Sequence, residues 1–386
     1  MVEPGSPVWS HPAVRERQTP LLVADMRALE RNARNLADRA GAKPIRIATK
    51  SIRVREILHR VLEWPHFHGL LTYSLAESIW LAHHGFTDIV LAYPTVDRNS
   101  LQQWGSDSNL RQRITVMVDH PQHVQLIAEY AQANVNVCMD IDASLRIGPL
   151  HLGVRRSPIH TAKQALALTD YIAQQRNIRL RGLMFYDAQI AGLPDTSTLV
   201  RGVKKLSLRE LVTRRAEITA AVSQRTNLEF VNGGGTGSLH HLANDTALTE
   251  LAAGSGLFGP TLFDQYRGFT PEPAVLYALP VTRIPAHRVR TVFGGGYVAS
   301  GPPGASRQPR PVYPTGLHTL RTEGVGEVQT PVRIPRDGTL SIGDSTWWRH
   351  AKSGEICERF SEMLLVETDT AAVSSPTYRG ESQCFG

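Results

Sequence analysis

Lys50 is the first residue whose type and position suggest chemistry, because it ends the apolar run 46–50 (RIATK). Burial lowers the pKa of an amine, and a neutral lysine amine can form a Schiff base with an aldehyde cofactor. A lysine whose ammonium reaches water from the edge of a core gives the same pattern. The run alone therefore leaves a covalent cofactor site and a surface lysine as alternatives.

A glycine tract at 232–238 (NGGGTGS) follows the apolar run 228–232 and precedes a short helical pattern at 239–243. Glycines let backbone N–H groups approach a phosphate, Thr236 or Ser238 can add a hydroxyl, and the start of a helix favours an anion. The tract lacks the lysine of a P-loop and the spacing of a dinucleotide fingerprint, which argues against a nucleoside triphosphate. It predicts a phosphate loop, with a tight structural turn as the alternative. The next loop, 254–257 (GSGL), offers further donors.

Eight short apolar runs alternate with helical patterns, and both candidates lie at the ends of such runs. Runs that are apolar on both faces and separated by helices are typical of parallel strands. Eight such units favour a closed (β/α)8 TIM-like barrel, whose functional residues lie at the C-terminal ends of the strands. The predicted strands are 46–50, 69–73, 88–93, 114–119, 136–142, 179–186, 228–232 and 250–254, with helices between them such as 76–83, 123–131 and 163–173.

The parts of the chain before and after the barrel pattern do not show its alternation of strands and helices. A strand is predicted at 21–25, with Asp25 capping a helix that ends at Gly41. After the tripeptide 271–273 (PEP), glycine and proline clusters separate short alternating runs, which predict a C-terminal β domain. These runs are 275–281, 290–292, 326–329, 332–334 and 360–366. Residues after Asp369 are rich in Thr, Ser and Ala and are predicted to form a loose tail.

Composition and charge argue against several classes of protein. The 386 residues carry a net charge of +7, but basic and acidic residues are interleaved, which favours attraction of small anions over nucleic-acid binding. No apolar run approaches the roughly 18 residues that span a bilayer, and the start lacks the charged-then-apolar pattern of a secretion signal. Three cysteines without C-x-x-C spacing indicate a reducing, cytoplasmic setting.

Several separated motifs, in the same order, resemble the fold-type III pyridoxal-phosphate enzymes, which have an alanine racemase-like N-terminal barrel. The resemblance is to the branch with D-threonine aldolases and D-serine dehydratases, and in particular to proteins described as amino acid deaminase/aldolase. It covers nearly the whole chain. It rests on Thr19-Pro20, 48–51 (ATKS), 182–189 (GLMFYDAQ), the glycine tract and 348–352 (WRHAK).

The resemblance implies a site for pyridoxal 5′-phosphate on a barrel of residues 27–272. Lys50 would hold the cofactor, and the phosphate would be held by Gly234, Gly235, Thr236, Gly256 and Leu257. The resemblance also implies that residues 1–26 contribute the 21–25 strand to a β domain at 273–370, with a tail at 371–386. The enzyme would be a homodimer.

Further residues at strand ends are expected near the cofactor. The resemblance places Arg146 by the pyridine ring, where a guanidinium keeps the ring nitrogen unprotonated and weakens the ring as an electron sink. A surface ion pair is the alternative for this arginine. Tyr186 and Gln189 are expected to face the ring or the substrate, with core packing and loop hydrogen bonding as alternatives. Tyr73 and Tyr93 also end strands, where a tyrosine often only caps the core.

Position 352 is where the chain departs from the branch that it resembles. Members of that branch carry His-x-Cys or His-x-Asp here, two ligands for a divalent metal that activates the substrate hydroxyl, whereas this chain has His350-Ala351-Lys352. A protonated amine does not bind a metal. We expect the Lys352 cation to take the metal's electrostatic place and His350 to act as acid or base. In the alternative, His350 binds a metal together with Glu355 or Cys357.

The resemblance implies a lyase that acts on small D-configured β-hydroxy amino acids. Such an enzyme either splits the Cα–Cβ bond, as a D-threonine aldolase does, or removes the hydroxyl and the amine, as a D-serine dehydratase does. Lys50 and His350 would transfer the protons. An amino acid racemase of the same fold is an alternative, with Tyr297 or Tyr313 as the second base. A non-enzymatic cofactor carrier is disfavoured, because such proteins lack a C-terminal β domain.

Overall fold

The computed structural model describes residues 7–195 and 197–385. Contacts group these residues into two compact units. The sheet unit contains the described residues of 7–35, 50–59 and 255–384, and the barrel unit contains those of 36–49, 60–254 and 385. The chain therefore passes between the units several times, and Lys50 begins one of the segments of the sheet unit.

The strands, in chain order, are β1 Leu21–Asp25, β2 Ile45–Ala48, β3 Phe67–Thr72, β4 Ile89–Leu91, β5 Ile114–Val118, β6 Val135–Asp140, β7 Leu145–Ile147, β8 Leu150–Leu152, β9 Ile178–Phe185, β10 Phe230–Gly233, β11 Glu250–Ala253, β12 Val275–Ala286, β13 Val289–Phe293, β14 Arg310–Tyr313, β15 His318–Thr319, β16 Gln329–Arg333, β17 Ser345–Arg349, β18 Glu362–Val366 and β19 Ala372–Pro376. The helices are α1 Pro12–Arg15, α2 Met26–Ala40, α3 Arg55–Leu62, α4 Leu75–His83, α5 Arg98–Ser106, α6 Ser108–Arg113, α7 Pro121–Tyr130, α8 Ala162–Ala173, α9 Ala188–Ala191, α10 Thr198–Ser223, α11 Leu239–Leu242 and α12 Ser255–Phe258.

The barrel unit is built on a closed barrel with the strand order β10-β11-β2-β3-β4-β5-β6-β9. Every neighbouring pair in it is parallel. Each of the eight predicted strands is present, with its ends within two residues of the prediction. The prediction of a (β/α)8 TIM-like barrel is therefore confirmed.

Side chains from six barrel strands pack against one another in a buried layer. Its members are Leu71, Val90, Met117, Cys138, Met184 and Phe230. Because strand side chains alternate, the residues two positions beyond three of these members share their face. Those residues are Asp119, Asp140 and Tyr186. The barrel interior thus becomes polar toward the C-terminal ends of its strands, where the functional residues of such barrels lie.

Charged side chains lie at the opposite end of the barrel, near the first residues of the strands. Arg46 in β2 donates from Nε and Nη2 to the two carboxylate oxygens of Glu250 in β11, at 2.6 and 2.8 Å. Its guanidinium also lies 3.0 Å from Asp88, and Asn232 donates to Glu250 at 2.9 Å. Arg46 and Glu250 are almost completely buried, so each charge depends on the other.

His68 in β3 joins this network, 3.6 Å from Asp88 and 3.2 Å from Glu250. These two contacts raise the pKa of His68 to about 9. Burial alone would raise the pKa of Glu250, but His68 and Arg46 outweigh it and hold that pKa at about 2. The network is therefore fully ionised at neutral pH.

The sheet unit contains a nine-stranded sheet with the order β15-β16-β13-β12-β1-β18-β19, in which β17 pairs with β12 and β14. β1 runs antiparallel to β12 and parallel to β18. The first strand of the chain thus lies among strands that follow residue 274. Buried side chains pack on this sheet in one cluster: Val8, Val14, Leu21, Val23, Leu276, Ala278, Trp347, Leu364 and Val366. The sheet-rich C-terminal part expected from the sequence is present.

The structure differs from the predicted elements in several places, of which the C-terminal residues and the segment that carries Arg146 matter most. Residues 371–385 do not form a loose tail, because β19 pairs antiparallel with β18, with Ser374 opposite Leu364, and Tyr378 is buried; residue 386 lies outside the described residues. An edge strand whose side chains are mostly exposed carries no alternating apolar pattern, so the composition of this segment predicted a tail. The antiparallel hairpin β7-β8, which carries Arg146, is also absent from the prediction.

No helix in the described part of the chain is long and apolar enough to cross a bilayer. The three cysteines are free, with Cys138 and Cys357 buried and Cys384 exposed. Burial raises the pKa of the Cys138 thiol well above its usual range, so this side chain behaves as a small apolar group of the barrel core.

Replacing Glu250 by Gln leaves the Arg46 guanidinium buried without its main countercharge. We expect the free energy of unfolding at pH 7 to fall by about 3–5 kcal/mol, measured by urea denaturation. The control is Glu229→Gln, since Glu229 pairs with Arg179 and Arg181 but is 39% exposed. An exposed pair contributes less than about 1 kcal/mol. Equal losses in the two variants would contradict the importance of the buried pair.

Candidate active site

Lys50 lies in a 3-10 turn, Thr49–Ser51, directly after β2, and it is exposed, whereas the Schiff-base interpretation of the apolar run relied on burial. Within the sheet unit, the backbone at Lys50 is packed against Gly354. A Cβ at position 354 would stand 1.8 Å from the Lys50 carbonyl oxygen, and φ at this glycine is +89°. A side chain fits neither the space nor the backbone conformation. The close approach therefore fixes the Lys50 backbone against the segment that follows His350.

Two further contacts hold the chain after Lys50 in the sheet unit. The Cys357 thiol donates to the Ile52 carbonyl, with 3.2 Å between Sγ and oxygen. Arg53 pairs with Glu358 at 2.7 Å. The turn that carries Lys50 is thus fastened to residues 354–358 by a backbone contact, a thiol and an ion pair.

His350 follows β17 and is buried, with 2% of its surface exposed. Its carbonyl accepts from the Thr261 amide at 3.0 Å, and the Phe258 ring lies edge-on at 6.3 Å between ring centres. Neither ring nitrogen makes a well-formed hydrogen bond to a described residue. Burial lowers the pKa of His350 to about 3, and the nearby backbone of Val275 opposes this only in part. The ring is therefore neutral at pH 7.

Lys352 lies two residues further on, and its Nζ donates to the Ser300 hydroxyl at 3.2 Å. The Glu355 carboxylate accepts from the Ser300 amide at 2.9 Å and also from its hydroxyl. Burial, Arg307 and Lys50 lower the pKa of Lys352, while Glu355 raises it. Lys50 is thus close enough for its charge to act on the Lys352 amine.

The two residues considered as a second metal ligand are engaged in other contacts. Glu355 binds Ser300, and the Cys357 thiol lies against the Ile52 carbonyl, where burial raises its pKa well above the usual range. Among the described residues, no group of three or more His, Cys, Asp or Glu side chains is placed to hold a metal ion.

Gly256 and Leu257 lie in the short helix α12, after β11, and both are buried. The Leu257 carbonyl accepts from the Asn32 side chain at 3.0 Å. The neighbouring Ser255 carbonyl accepts from the Ser353 hydroxyl at 2.8 Å. This second predicted phosphate segment is therefore held, within the sheet unit, between α2 and the segment that follows Lys352.

The glycine tract forms a tight loop at the end of β10 in the barrel unit. Gly234 has φ +85°, and a Cβ on Gly235 would stand 3.0 Å from the methyl group of Ala191. The amides of Gly234 and Gly237 are buried and make no hydrogen bond to a described residue. Buried amides are nearly always paired. These two N–H groups are therefore suited to an anion.

Arg39 of α2 lies beside the glycine tract, although no motif or spacing in the sequence singled it out. Its Nη2 donates to the Thr236 carbonyl at 2.5 Å. Burial lowers the pKa of Arg39 to about 10, which still leaves a positive charge at neutral pH. A cation near the tract adds to the preference of this loop for an anion.

Tyr186 and Gln189 both follow β9, but their surroundings differ. Tyr186 borders the glycine tract, with its Cε2 3.6 Å from the position of a Cβ on Gly235. Gln189 is buried and donates to the Ala143 carbonyl and the Ser207 hydroxyl at 2.6 and 2.7 Å. Its Oε1 has no hydrogen-bond partner among the described residues. Its amide nitrogen is thus used in loop hydrogen bonds, whereas its oxygen stays available to a ligand.

Arg146 lies on β7 and pairs with Asp142 at 2.5 Å, with 38% of its side chain exposed. A different arginine lies near Tyr186. The Cζ of Arg156 is 5.4 Å from the ring centre of Tyr186 and 5.6 Å from that of Tyr93, two tyrosines that follow barrel strands. Sequence reasoning missed Arg156 because it stands in an irregular segment, where no period marks the side that a residue faces.

Asp140, the last residue of β6, is a second residue that the sequence did not single out. Burial and the neighbouring Asp119 raise the pKa of Asp140 to about 8, and the charge of Arg156 opposes them only in part. The carboxyl group therefore keeps its proton at pH 7 and can donate a hydrogen bond. Its position at the end of a barrel strand was the one available signal.

The family model for the alanine racemase N-terminal domain matches residues 24–261, more than half of the chain. The chain therefore belongs to the alanine racemase N-terminal domain family. Pyridoxal phosphate is the cofactor expected of this family.

The chain is similar to three characterised proteins. The 3-hydroxy-D-aspartate aldolase of Paracoccus denitrificans (strain Pd 1222) is 23% identical over 252 residues, which cover 63% of this chain and 61% of that protein. The match thus spans less than two thirds of the relative. The structure of D-threonine aldolase from Filomicrobium marinum has a TM-score of 0.78 at 22% identity, covering 94% of this chain and 95% of that one. D-threo-3-hydroxyaspartate dehydratase from Delftia sp. HT23 has a TM-score of 0.71 at 17% identity, covering 94% and 98%. These structures share the fold.

The residues present in each unit fit pyridoxal phosphate. In the barrel unit, two buried amides of the glycine tract and the Gln189 oxygen are without a partner among the described residues and can bind polar groups of a ligand. In the sheet unit, Lys50 supplies an amine directly after a barrel strand, and both ring nitrogens of His350 can bind a polar group. Buried polar atoms without partners are the usual sign of a ligand or an ordered water.

The substitution Gly354→Ala would place a methyl group on the Lys50 carbonyl. We expect it to lower the free energy of unfolding and to weaken binding of pyridoxal phosphate, measured by urea denaturation and by absorbance titration. The matched control is Gly343→Ala, because Gly343 has φ +94° but nothing within 4 Å of its Cβ position. The control carries the backbone strain alone, about 1–2 kcal/mol. We expect Gly354→Ala to lose about 2 kcal/mol more, from overpacking.

Equal losses of stability in the two variants would show that backbone strain explains the effect. A Gly354→Ala variant with normal cofactor binding would show that the contact does not set the position of Lys50.

Proposed function

We propose that this chain is a pyridoxal-phosphate-dependent lyase that acts on D-configured β-hydroxy amino acids. The observation that carries the proposal is the Lys50 turn, in which a lysine directly follows a strand of the closed barrel and is fixed in place by Gly354. Membership of the alanine racemase N-terminal domain family supports the cofactor. The similarity to a 3-hydroxy-D-aspartate aldolase and a D-threonine aldolase supports the class of substrate.

Different residues of the chain are assigned to different groups of the cofactor. Lys50 is assigned to its aldehyde, and the phosphate is assigned to Gly234, Gly235, Thr236, Gly256 and Leu257. When bound, pyridoxal phosphate accepts the electron pair of a bond broken at the substrate Cα. Tyr186 and Gln189 are assigned to the surroundings of the ring. The position of Arg156 beside Tyr186 supports it, in place of Arg146, as the arginine near the ring.

His350 and Lys352 are assigned to the substrate hydroxyl. The low pKa of His350 favours a neutral ring, which can accept the hydrogen bond of a hydroxyl but cannot store a proton as an acid at pH 7. Lys352 has a lowered pKa and a hydroxyl partner, so its Nζ can both supply positive charge and exchange a proton. These pKa directions favour Lys352 over His350 as the proton donor.

Two reactions are open to such a substrate. In the aldolase reaction the hydroxyl loses its proton, the Cα–Cβ bond breaks, an aldehyde leaves, and Cα takes up a proton to give glycine. In the dehydratase reaction Cα loses a proton and the hydroxyl leaves as water, and hydrolysis then gives a keto acid and ammonia. In both reactions His350 and Lys352 act on the substrate hydroxyl, through hydrogen bonding and proton transfer. In the second reaction the Lys50 amine accepts the Cα proton.

Mass spectrometry of the products tests the proposal directly. Holoenzyme incubated with D-threo-3-hydroxyaspartate, D-threonine or D-serine is expected to give either glycine and an aldehyde or a keto acid and ammonia, and to spare the L-enantiomers. Lys50→Ala removes the amine and is expected to lower turnover by about 10³-fold or more. The control is Lys163→Ala, an exposed lysine in the first turn of α8. Interconversion of D- and L-alanine without any of these products would instead support a racemase and refute the lyase.

A metal analysis tests the assignment of Lys352. We expect protein purified without chelator to contain no stoichiometric divalent metal and its activity to resist chelators. Lys352→Cys restores a His-x-Cys pair and is expected to make residual activity depend on an added divalent metal. A required metal in the wild-type protein would end the electrostatic role of Lys352 and return His350 to the role of a ligand.

Two further assignments rest on the resemblance and on the free cysteines. We propose a homodimer, which light scattering after size-exclusion chromatography can test. We also propose a reducing, cytoplasmic setting, because the three cysteines are free.

A further inference from the structure

Ser238 and Asp187 form a buried contact behind the glycine tract. Both residues are completely buried, at 0% exposure. The Ser238 hydroxyl accepts from the Gly235 amide at 3.1 Å, and its own hydrogen faces two acceptors, Oδ1 of Asp187 at 3.2 Å and the Gly235 carbonyl at 3.3 Å. The Ser238 amide in turn donates to the Gly235 carbonyl at 2.9 Å. A short relay thus runs from the Gly235 N–H through the serine hydroxyl to the carboxylate.

The relay uses the amide of Gly235, a residue that the family resemblance assigns to the phosphate. Because the Gly235 N–H is bonded to Ser238, it is not among the donors left for an anion. The amides of Gly234 and Gly237, on either side of the relay, are the buried ones without a partner among the described residues. The Gly235 N–H is therefore used to shape the loop, and the N–H groups of Gly234 and Gly237 are left to bind an anion.

Asp187 is held as an acceptor by its surroundings. Its backbone carbonyl caps α9 by accepting from the Ile190 amide at 2.8 Å, which leaves its side chain for Ser238. Burial raises the pKa of Asp187 to about 6, while Arg215, Ser238 and Lys204 oppose that shift. Its second oxygen, Oδ2, has no hydrogen-bond partner among the described residues. Burying a carboxylate with one unpaired oxygen costs stability. The position of Asp187 is therefore better explained by its contact with the glycine tract than by a contribution to stability.

We infer that Ser238 and Asp187 are positioning residues, which hold the glycine tract in the shape that binds the cofactor phosphate without touching the phosphate themselves. The inference rests on the proposed function, since it requires a phosphate-bearing cofactor. Gly235 thus contributes to the proposed phosphate loop through its contact with Ser238, and not through its own N–H. The neighbouring contact between Arg39 and Thr236 fixes the same loop from its other side.

The test compares pyridoxal phosphate with pyridoxal, which has the same aldehyde but no phosphate. Dissociation constants for both are measured on the apoprotein by absorbance titration. Ser238→Ala leaves the Gly235 amide and Asp187 without their partner, so we expect about a 10-fold or greater loss of affinity for pyridoxal phosphate and less than about a 2-fold change for pyridoxal. Asp187→Ala is expected to behave in the same way.

Two variants serve as controls. Asp187→Asn keeps an oxygen acceptor for Ser238 and is expected to stay within about 3-fold of the wild-type affinity for pyridoxal phosphate. Thr169→Val removes another buried hydroxyl, which donates to the Ala165 carbonyl at 2.8 Å in α8, away from the tract. It is expected to change neither affinity. Hydrogen exchange of the peptide 233–240 should rise in Ser238→Ala and Asp187→Ala but not in Asp187→Asn.

The outcomes separate this inference from the proposed function. If the wild-type apoprotein does not bind pyridoxal phosphate, the proposed function fails and the inference fails with it. If the wild type binds normally but Ser238→Ala loses nothing, or loses affinity for pyridoxal equally, the positioning role is refuted alone. If the Asp187→Asn protein folds but binds pyridoxal phosphate as weakly as Asp187→Ala, the relay is refuted.

Discussion

The packing of Gly354 on the Lys50 carbonyl is the constraint on which the sheet unit's functional residues depend. Because position 354 has no Cβ, the chain after His350 can lie directly on the backbone of the Lys50 turn. The Cys357 thiol and the Arg53–Glu358 pair then close the contact on its C-terminal side. A reactive amine is useful only if it is held within a fraction of an ångström. Backbone packing fixes the start of the Lys50 side chain, and it ties the backbone positions of Lys50 and Lys352 together.

The two ends of the barrel strands differ in how their polar side chains are paired. Near the first residues of the strands, Arg46 and His68 face the carboxylates of Glu250 and Asp88, and the burial of Arg46 and Glu250 strongly disfavours the loss of either of these two partners. Toward the C-terminal ends, Asp140 keeps its proton at pH 7, and the Gln189 oxygen has no hydrogen-bond partner among the described residues. Unsatisfied groups cost stability, so they persist where binding can satisfy them.

The sequence predicted the barrel because its strands are short apolar runs between helices, a pattern that depends only on local residue types. It did not predict β19, whose partners lie in β18 and whose side chains are mostly exposed, since pairing between edge strands leaves no apolar signal. In the same way, Lys50 and the glycine tract could be found from residue type and strand position. Arg156 and the Ser238–Asp187 contact could not, because they depend on which side chains meet after distant segments have folded together.

The surroundings of Lys352 explain how an amine can stand where similar enzymes place a metal ligand. Lys50 and Arg307 lie near enough to lower its pKa, so this part of the sheet unit already carries a concentration of positive charge. A dication would be repelled there, whereas the carboxylate of an amino acid would be attracted. Burial and the same repulsion favour loss of the Lys352 proton by lowering its pKa. Glu355 opposes that loss, and Ser300 links it to the amine by hydrogen bonds on both sides. Under the proposed function, Lys352 and Arg307 supply the positive charge that a metal ion would supply, and the Glu355 carboxylate limits their net charge.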